Sequence, residues 1–232
     1  MSVRDNYIYI QSKIAEICAK CGRHPSSVIL LPVSKTFPAD VVQQAIDDGI
    51  TIFGENRVQE AQGKIKLLSG DYTFHLIGHL QSNKAATAVE LFDCIHSIDK
   101  ISTARKVAKA AGERNKVQRI LLQINTTGEH SKSGADPDDS VHIAREIEQF
   151  ENLSLEGLMT IGPLTDSREQ IRESFALLRK LKETVSDALG RELAHLSMGM
   201  SGDYDIAIQE GATIVRIGSA IFGKRDYVEE TV

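Results

Sequence analysis

Lys35 is the residue best placed to do chemistry in this sequence. It closes the run Ile29-Leu30-Leu31-Pro32-Val33-Ser34 and is followed by Thr36-Phe37-Pro38-Ala39-Asp40. A short apolar run suits a buried strand, and Pro38 suits the first position of a helix, where its missing N–H leaves no bond unmade. The spacing therefore predicts a lysine at the C-terminal end of a strand. Apolar walls disfavour an ammonium there, and a neutral amine condenses with an aldehyde to a Schiff base. Solvated lysines after strands are common, so Lys35 takes its meaning from the rest of the chain.

Two further stretches could hold an anion. Ser197-Met198-Gly199-Met200-Ser201-Gly202-Asp203 and Gly218-Ser219-Ala220 combine glycine turns with hydroxyls, and each precedes a helix candidate. Such turns and helix N-termini present unpaired backbone N–H groups to a phosphate, although glycine also serves tight turns without any ligand. Between the two loops, strand alternation along Thr213-Ile214-Val215-Arg216-Ile217-Gly218 puts Ile214, Arg216 and Gly218 on one face. An arginine inside an apolar strand is either half of a structural ion pair or a donor aimed at a ligand ring nitrogen or anion. An amine, a phosphate cradle and a ring partner together are what a pyridoxal 5′-phosphate site requires.

These residues need a frame that brings them together. An amphipathic helix is expected over about residues 4–20, with Ile10, Ile14 and Ile17 on one face. Eight apolar runs follow: Ile29 to Ser34, Thr51 to Phe53, Thr73 to Ile77, Cys94 to Ser97, Arg119 to Asn125, Ser154 to Thr160, Ala194 to Met198 and Thr213 to Ile217. Helix candidates separate them, with starts at Asp136-Pro137, at Asp99 before Ile101, and at Ser167 before Arg168 to Ala188. Strict alternation of strand and helix implies a parallel sheet, and eight repeats in this length suit a closed (β/α)8 TIM-type barrel of the α/β class.

The extra N-terminal helix is expected to cover wall that a full final helix would cover, since only ten residues follow Phe222. No linker or low-complexity tract divides residues 1–232, so a single domain is expected, with its barrel over about 28–223. In such barrels chemistry sits in the loops after the strands, and the loops after strands seven and eight are a recurrent phosphate site. Lys35, Asn56, the His79-to-Lys84 stretch, Ser201, Gly202, Gly218 and Ser219 all fall there.

Several blocks carry a resemblance. Leu31 to Thr36, Phe53-Gly54-Glu55-Asn56-Arg57-Val58-Gln59-Glu60, His75 to Lys84, Gly157-Leu158-Met159, Leu196 to Ser201 and Val215 to Gly223, in this order, resemble the pyridoxal phosphate homeostasis proteins, relatives of the barrel domain of alanine racemases. The resemblance spans Ile29 to Gly223. It implies a barrel that holds pyridoxal phosphate as an internal aldimine on Lys35. It further implies phosphate contacts from Ser201, Gly202, Gly218 and Ser219, Arg216 near the pyridine nitrogen, and Asn56 close to the cofactor. Gly202 stands where many relatives carry a polar side chain, so it offers only its backbone N–H.

Racemases of this type also have a second domain, and no stretch of this chain is left over for one, so the resemblance implies a cofactor without the partner acid or base. A guanidinium opposite the ring nitrogen disfavours its protonation and weakens the ring as an electron sink. The leading expectation is a binding and homeostasis protein that buffers pyridoxal phosphate and passes it transiently to apo-enzymes, with at most weak racemase or transaminase activity. The alternative is a single-domain racemase or lyase using His79, Lys84, His130 or Lys132 as the second acid or base. Lys132 is also a candidate transfer amine. A third reading is a barrel enzyme in which Lys35 and the phosphate loops serve a phosphorylated sugar.

Composition narrows the partners. The chain has 232 residues, 25% charged and 41% hydrophobic, with a net charge of −5 and no basic stripe, which argues against duplex nucleic acid. No apolar run approaches a membrane span, and the N-terminus lacks a secretory apolar core, so a cytoplasmic protein is expected. With no long apolar seam and without the racemases' dimer-forming domain, a monomer is expected. Cys18 and Cys21 form a CxxC, but they end an amphipathic helix with no second ligand pair nearby. They and Cys94 read as small packed side chains, and no metal site is expected. His75 and His195 read as hydrogen-bonded strand histidines.

Overall fold

The computed structural model describes residues 2–129 and 132–223. Helix α1 (Val3–Lys20) is opened by a capping box in which Ser2 and Asp5 exchange hydrogen bonds. Eight strands follow: β1 (Ile29–Pro32), β2 (Ile52–Glu55), β3 (Thr73–Leu76), β4 (Cys94–Ile98), β5 (Gln118–Gln123), β6 (Leu153–Met159), β7 (His195–Ser197) and β8 (Ile214–Ile217). Between and after them lie α2 (Ala39–Asp47), α3 (Val58–Ile65), α4 (Ala85–Leu91), α5 (Ile101–Gly112), α6 (Ser140–Ile147), α7 (Arg168–Leu189), α8 (Tyr204–Gln209) and α9 (Ser219–Phe222).

All strands pair in parallel, in the order β1-β8-β7-β6-β5-β4-β3-β2. The ring closes between the ends of that order through one bridge, Val33 to Gly54, with Ser34 N–H donating to the Gly54 carbonyl at 3.0 Å. The (β/α)8 expectation holds.

Strand alternation sorts the core into two parts. Leu31, Val33, Ile77, Cys94, Leu121, Met159 and Ile214 fill the barrel interior. A larger cluster, with Phe53, Phe74, Ile95, Leu122, Phe175 and Val215, lies between the strands and the helices. The same alternation puts His75 with Ile77, His96 with Cys94, and Arg216 with Ile214 on interior faces, so four polar side chains, with Ser197, share the barrel lumen.

α1 takes up the expected place on the outer wall. It packs on α8 and α9, Asn6 Nδ2 donates to the Ile221 carbonyl at 2.9 Å, and Arg23 donates to the carbonyls of Ile208 and Ala212. Ile10, Ile14 and Cys18 are its buried face, with Ile17 half-buried. Two helix starts differ from expectation. Pro38 is the N-cap of α2 and Ala39 its first residue. Asp99 does not cap α5, whose N-cap is Lys100; the Asp99 side chain is buried instead, with Oδ1 unpartnered. Asp136 and Ser167 do cap, accepting from the N–H groups of Asp138 and Gln170. Among the described residues no helix is long and apolar enough to cross a membrane.

Candidate functional site

A cavity of about 460 Å³ opens where the strands end, within the size range of small-molecule sites. Lys35, Asn56, Ser201, Gly202, Arg216, Gly218 and Ser219 all line it, so every residue expected at a cofactor site is brought to one place. Val33, Ile77 and Ile161 give it apolar walls. Ser201 and Gly202 stand in the turn between β7 and α8, and Gly218 is the N-cap of α9. Gly199 takes φ +93, and a Cβ there would meet that of Ala207 at 2.5 Å, so only glycine lets this turn fold back on α8.

The Lys35 wall is built on a buried ion pair. Lys64, from α3, donates to Glu55 Oε1 at 2.5 Å and to the Ser34 carbonyl at 2.8 Å, and Ser34 Oγ donates to the same Glu55 oxygen at 2.7 Å. Both charged side chains are almost wholly removed from water. Burial pushes the Glu55 carboxyl up, with Lys64 and Ser34 opposing, and its Oε2 has no partner. The latch clamps the residue before Lys35. On the other side, Thr36 stands at φ +70, and its N–H donates to Glu60. A threonine with positive φ is strained backbone, and Glu60 holds it there. Lys35 itself is half-buried.

The Arg216 wall is built differently. Arg216 is buried; Nη1 donates to Ser197 Oγ and Nη2 to the Thr160 carbonyl, each at 2.8 Å. No carboxylate among the described residues lies within ion-pair distance. Burial pulls the guanidinium down to about 10, opposed by Asp203, so it stays charged at neutral pH. Behind it, Ser197 Oγ lies 3.0 Å from His96 Nδ1, and His96 Nε2 lies 2.9 Å from His75 Nδ1. Desolvation holds both rings neutral, His75 at about 3 and His96 well below the usual range. His96 went unread in the sequence, although the interior-face alternation that singled out Arg216 also marks it.

The remaining candidates separate. His79 is exposed at the cavity edge. It shares Asn56 and Gly78 with an adjoining depression of about 610 Å³ that holds Arg57, Gln81 and Lys84. A Cβ at Gly78 would overlap the Asn56 backbone, so glycine is needed for β2 and β3 to end this close together. Lys132 pairs with Glu129 at 2.6 Å and donates to the Gly162 carbonyl at 3.2 Å, beside cavity-lining Ile161. His130 lies outside the described residues. Cys18 and Cys94 are buried and Cys21 is exposed. His75, Cys94 and His96 bring possible ligand atoms within 4.8 Å of one another, but the two histidines bond through their facing nitrogens. His195 is half-buried against Thr213.

The residues fit a phosphorylated aldehyde with a ring nitrogen. A lysine, glycine–serine turns and a buried cation with no carboxylate of the described residues within ion-pair distance meet in one cavity. A family model described as alanine racemase, N-terminal domain, matches residues 10–226. A protein of Vibrio alginolyticus named pyridoxal phosphate homeostasis protein is 42% identical over 232 residues, covering 97% of this chain and 99% of that protein. The structure of PipY from Synechococcus elongatus with pyridoxal phosphate bound superposes with a TM-score of 0.79 at 39% identity, over 90% of this chain and all of that one. Alanine racemase of Clostridium difficile, 16% identical, shares the fold with a TM-score of 0.74 over 96% of this chain and 57% of its own.

Proposed function

The chain belongs to the pyridoxal phosphate homeostasis proteins, within the alanine racemase N-terminal domain family, and on that footing we propose that it binds pyridoxal 5′-phosphate and takes part in its homeostasis. The observation that carries the reading is the convergence of Lys35, the Ser201-Gly202 and Gly218-Ser219 turns and Arg216 on one cavity. When bound, the cofactor supplies a reactive aldehyde and a ring that draws electrons.

The chain's own residues have distinct parts in this proposal. Lys35 holds the cofactor covalently. Backbone N–H groups and hydroxyls of the two turns receive the phosphate, and Arg216 meets the ring nitrogen. Asn56 packs at the cofactor's edge, with Val33 and Ile77 excluding water from the ring. The part played is buffering and supply to apo-enzymes by a cytoplasmic monomer, not rapid turnover. Supporting this, of the acid or base candidates among the described residues His79 is exposed, Lys84 lies in the adjoining depression and Lys132 is tied to Glu129, and none is placed as a buried acid or base against Lys35.

The test is an absorption spectrum of purified wild type and Lys35→Ala, followed by borohydride reduction and peptide mapping. A cofactor band fixed by borohydride to the Lys35 peptide and lost in the variant is the expected result. A colourless protein that takes up no added pyridoxal phosphate would overturn the proposal and return attention to phosphorylated sugars. Amino-acid turnover at about 1 s⁻¹ or faster, an ordinary enzyme rate, would replace the carrier reading with the racemase or lyase alternative.

A further inference from the structure

We propose that Ser197, His96 and His75 form a one-way hydrogen-bond relay through the barrel lumen that positions the Arg216 guanidinium for the ligand's ring nitrogen. The inference rests on the cofactor reading above for the identity of that ligand, and on geometry alone for the relay. Its members come from four strands, β3, β4, β7 and β8, so no single element holds the arginine in place.

The direction of the relay follows from what each atom can do. A guanidinium only donates, so Ser197 Oγ accepts from Arg216 Nη1. The serine's single proton then goes to the other polar atom within reach, His96 Nδ1. A neutral imidazole that accepts at Nδ1 carries its proton at Nε2, and that N–H faces His75 Nδ1. His75 in turn carries its proton at Nε2. Each partner thus fixes the next tautomer, and the Ser197 lone pairs stay turned towards the arginine. If His96 were reversed, with N–H at Nδ1, His75 would reverse with it, Ser197 would accept from both neighbours, and the serine's own buried proton would be left without an acceptor among the described residues. The neutral state that burial imposes on both histidines is what lets the chain run in one direction.

The arrangement also decides which part of Arg216 is available. Nη1 and Nη2 are each engaged, by Ser197 and by the Thr160 carbonyl, and the guanidinium lies at the cavity wall. A cation anchored by neutral acceptors keeps its full charge for a ligand, and its orientation depends on the serine. Ser197, His96 and His75 are not among the residues that line the cavity and act through Arg216.

The test uses the full chain. In the unloaded protein with labelled histidine, long-range 1H–15N spectra at neutral pH are expected to show both buried rings with the proton on Nε2. In Ser197→Ala the His96 pattern is expected to change. Affinity for pyridoxal 5′-phosphate should fall about tenfold, the scale of one hydrogen bond to a charged group, with a displaced absorption maximum of the bound cofactor. Ser197→Thr should restore both. His96→Gln should weaken binding less than Ser197→Ala, and His75→Asn least, whatever their effects on the melting midpoint.

A Ser197→Ala variant with unchanged tautomers, affinity and spectrum would overturn the relay. So would losses that follow each variant's melting midpoint and not its place along the chain. Wild type that takes up no pyridoxal phosphate would overturn the cofactor reading and the ligand named here, whatever the tautomers show. Normal uptake with an unaltered variant would overturn the relay alone.

Discussion

Lys64 and Arg216 are both buried cations at the rim of the same barrel, and the chain compensates them in opposite ways. Lys64 meets a buried carboxylate at 2.5 Å and a carbonyl at 2.8 Å. Arg216 meets a hydroxyl and a carbonyl, with Asp203 acting on it only through space. A buried ion pair is worth little net, but breaking it leaves an unpaired charge out of water. A cation left without a carboxylate has instead been kept available. Lys64 is accordingly structural: it clamps Ser34 beside Lys35, while Arg216 faces the cavity.

The largest effect should come from breaking the paired cation. Lys64→Met is expected to lower the unfolding free energy by about 3–5 kcal/mol, read by urea denaturation. The deficit should depend on pH. The Glu55 carboxyl, already raised by burial, would rise further without Lys64, whereas in the unfolded chain it ionises near its ordinary value of about 4.3. Above that value the unfolded state has released a proton that the folded state retains, so the deficit grows as pH rises and shrinks in acid. Lys64→Met combined with Glu55→Gln should recover most of it.

The neutral histidines behind Arg216 should give the second largest effect, and with the opposite sign. Their folded values lie below the unfolded value of about 6.5. Above that pH both states are neutral, and below it only the unfolded chain takes up protons. Stability should therefore fall as pH drops from about 6.5, by up to about 1.4 kcal/mol per pH unit for each ring. His75→Asn should flatten the slope by close to one proton, measured as unfolding free energy against pH.

Replacing the unpaired cation should have the smallest effect on the fold. Arg216→Met is expected to change unfolding free energy by no more than about 1 kcal/mol, or to raise it, because a buried charge is exchanged for apolar volume. Pyridoxal phosphate affinity should fall at least about tenfold. A large loss of stability in this variant would erase the contrast between the two cations.

The sequence shows the Arg216 side of this comparison better than the Lys64 side. Arg216 interrupts an apolar alternation, and Lys35 follows an apolar run, so each is conspicuous in one dimension. Glu55 opens the polar stretch Glu55-Asn56-Arg57 at the end of β2 and Lys64 lies in an amphipathic helix, where charged residues are expected in water; only folding across the β2–α3 turn brings them together out of it. His96 was hidden because Cys94-Ile95-His96-Ser97 reads as a short core strand, and its importance lies in partners 21 and 101 positions away. The barrel itself was legible because strand and helix alternate throughout. The helix starts were less so: Asp99 has the composition of a cap but a buried position.

One feature of the ring is mechanical. Six of its joints pair at two or more positions, and β7–β8, paired at Ser197 and Ile214, is also joined by the N–H groups of Thr213, Met198 and Arg216, whereas β1 and β2 meet through a single bridge and the Ser34–Glu55–Lys64 latch. A hoop with one weak weld parts along that line under load, and Lys35 and Asn56 stand on its two lips. The amides of Ser34 and Val33 therefore face different fates when the hoop flexes: Ser34 N–H is tied across the weld to Gly54 and is released by its parting, while Val33 N–H is tied to Ile217 on the sound side and stays protected. Deuterium uptake at these two neighbouring positions would show that gap in one experiment, and would locate the give in the hoop beside the lysine.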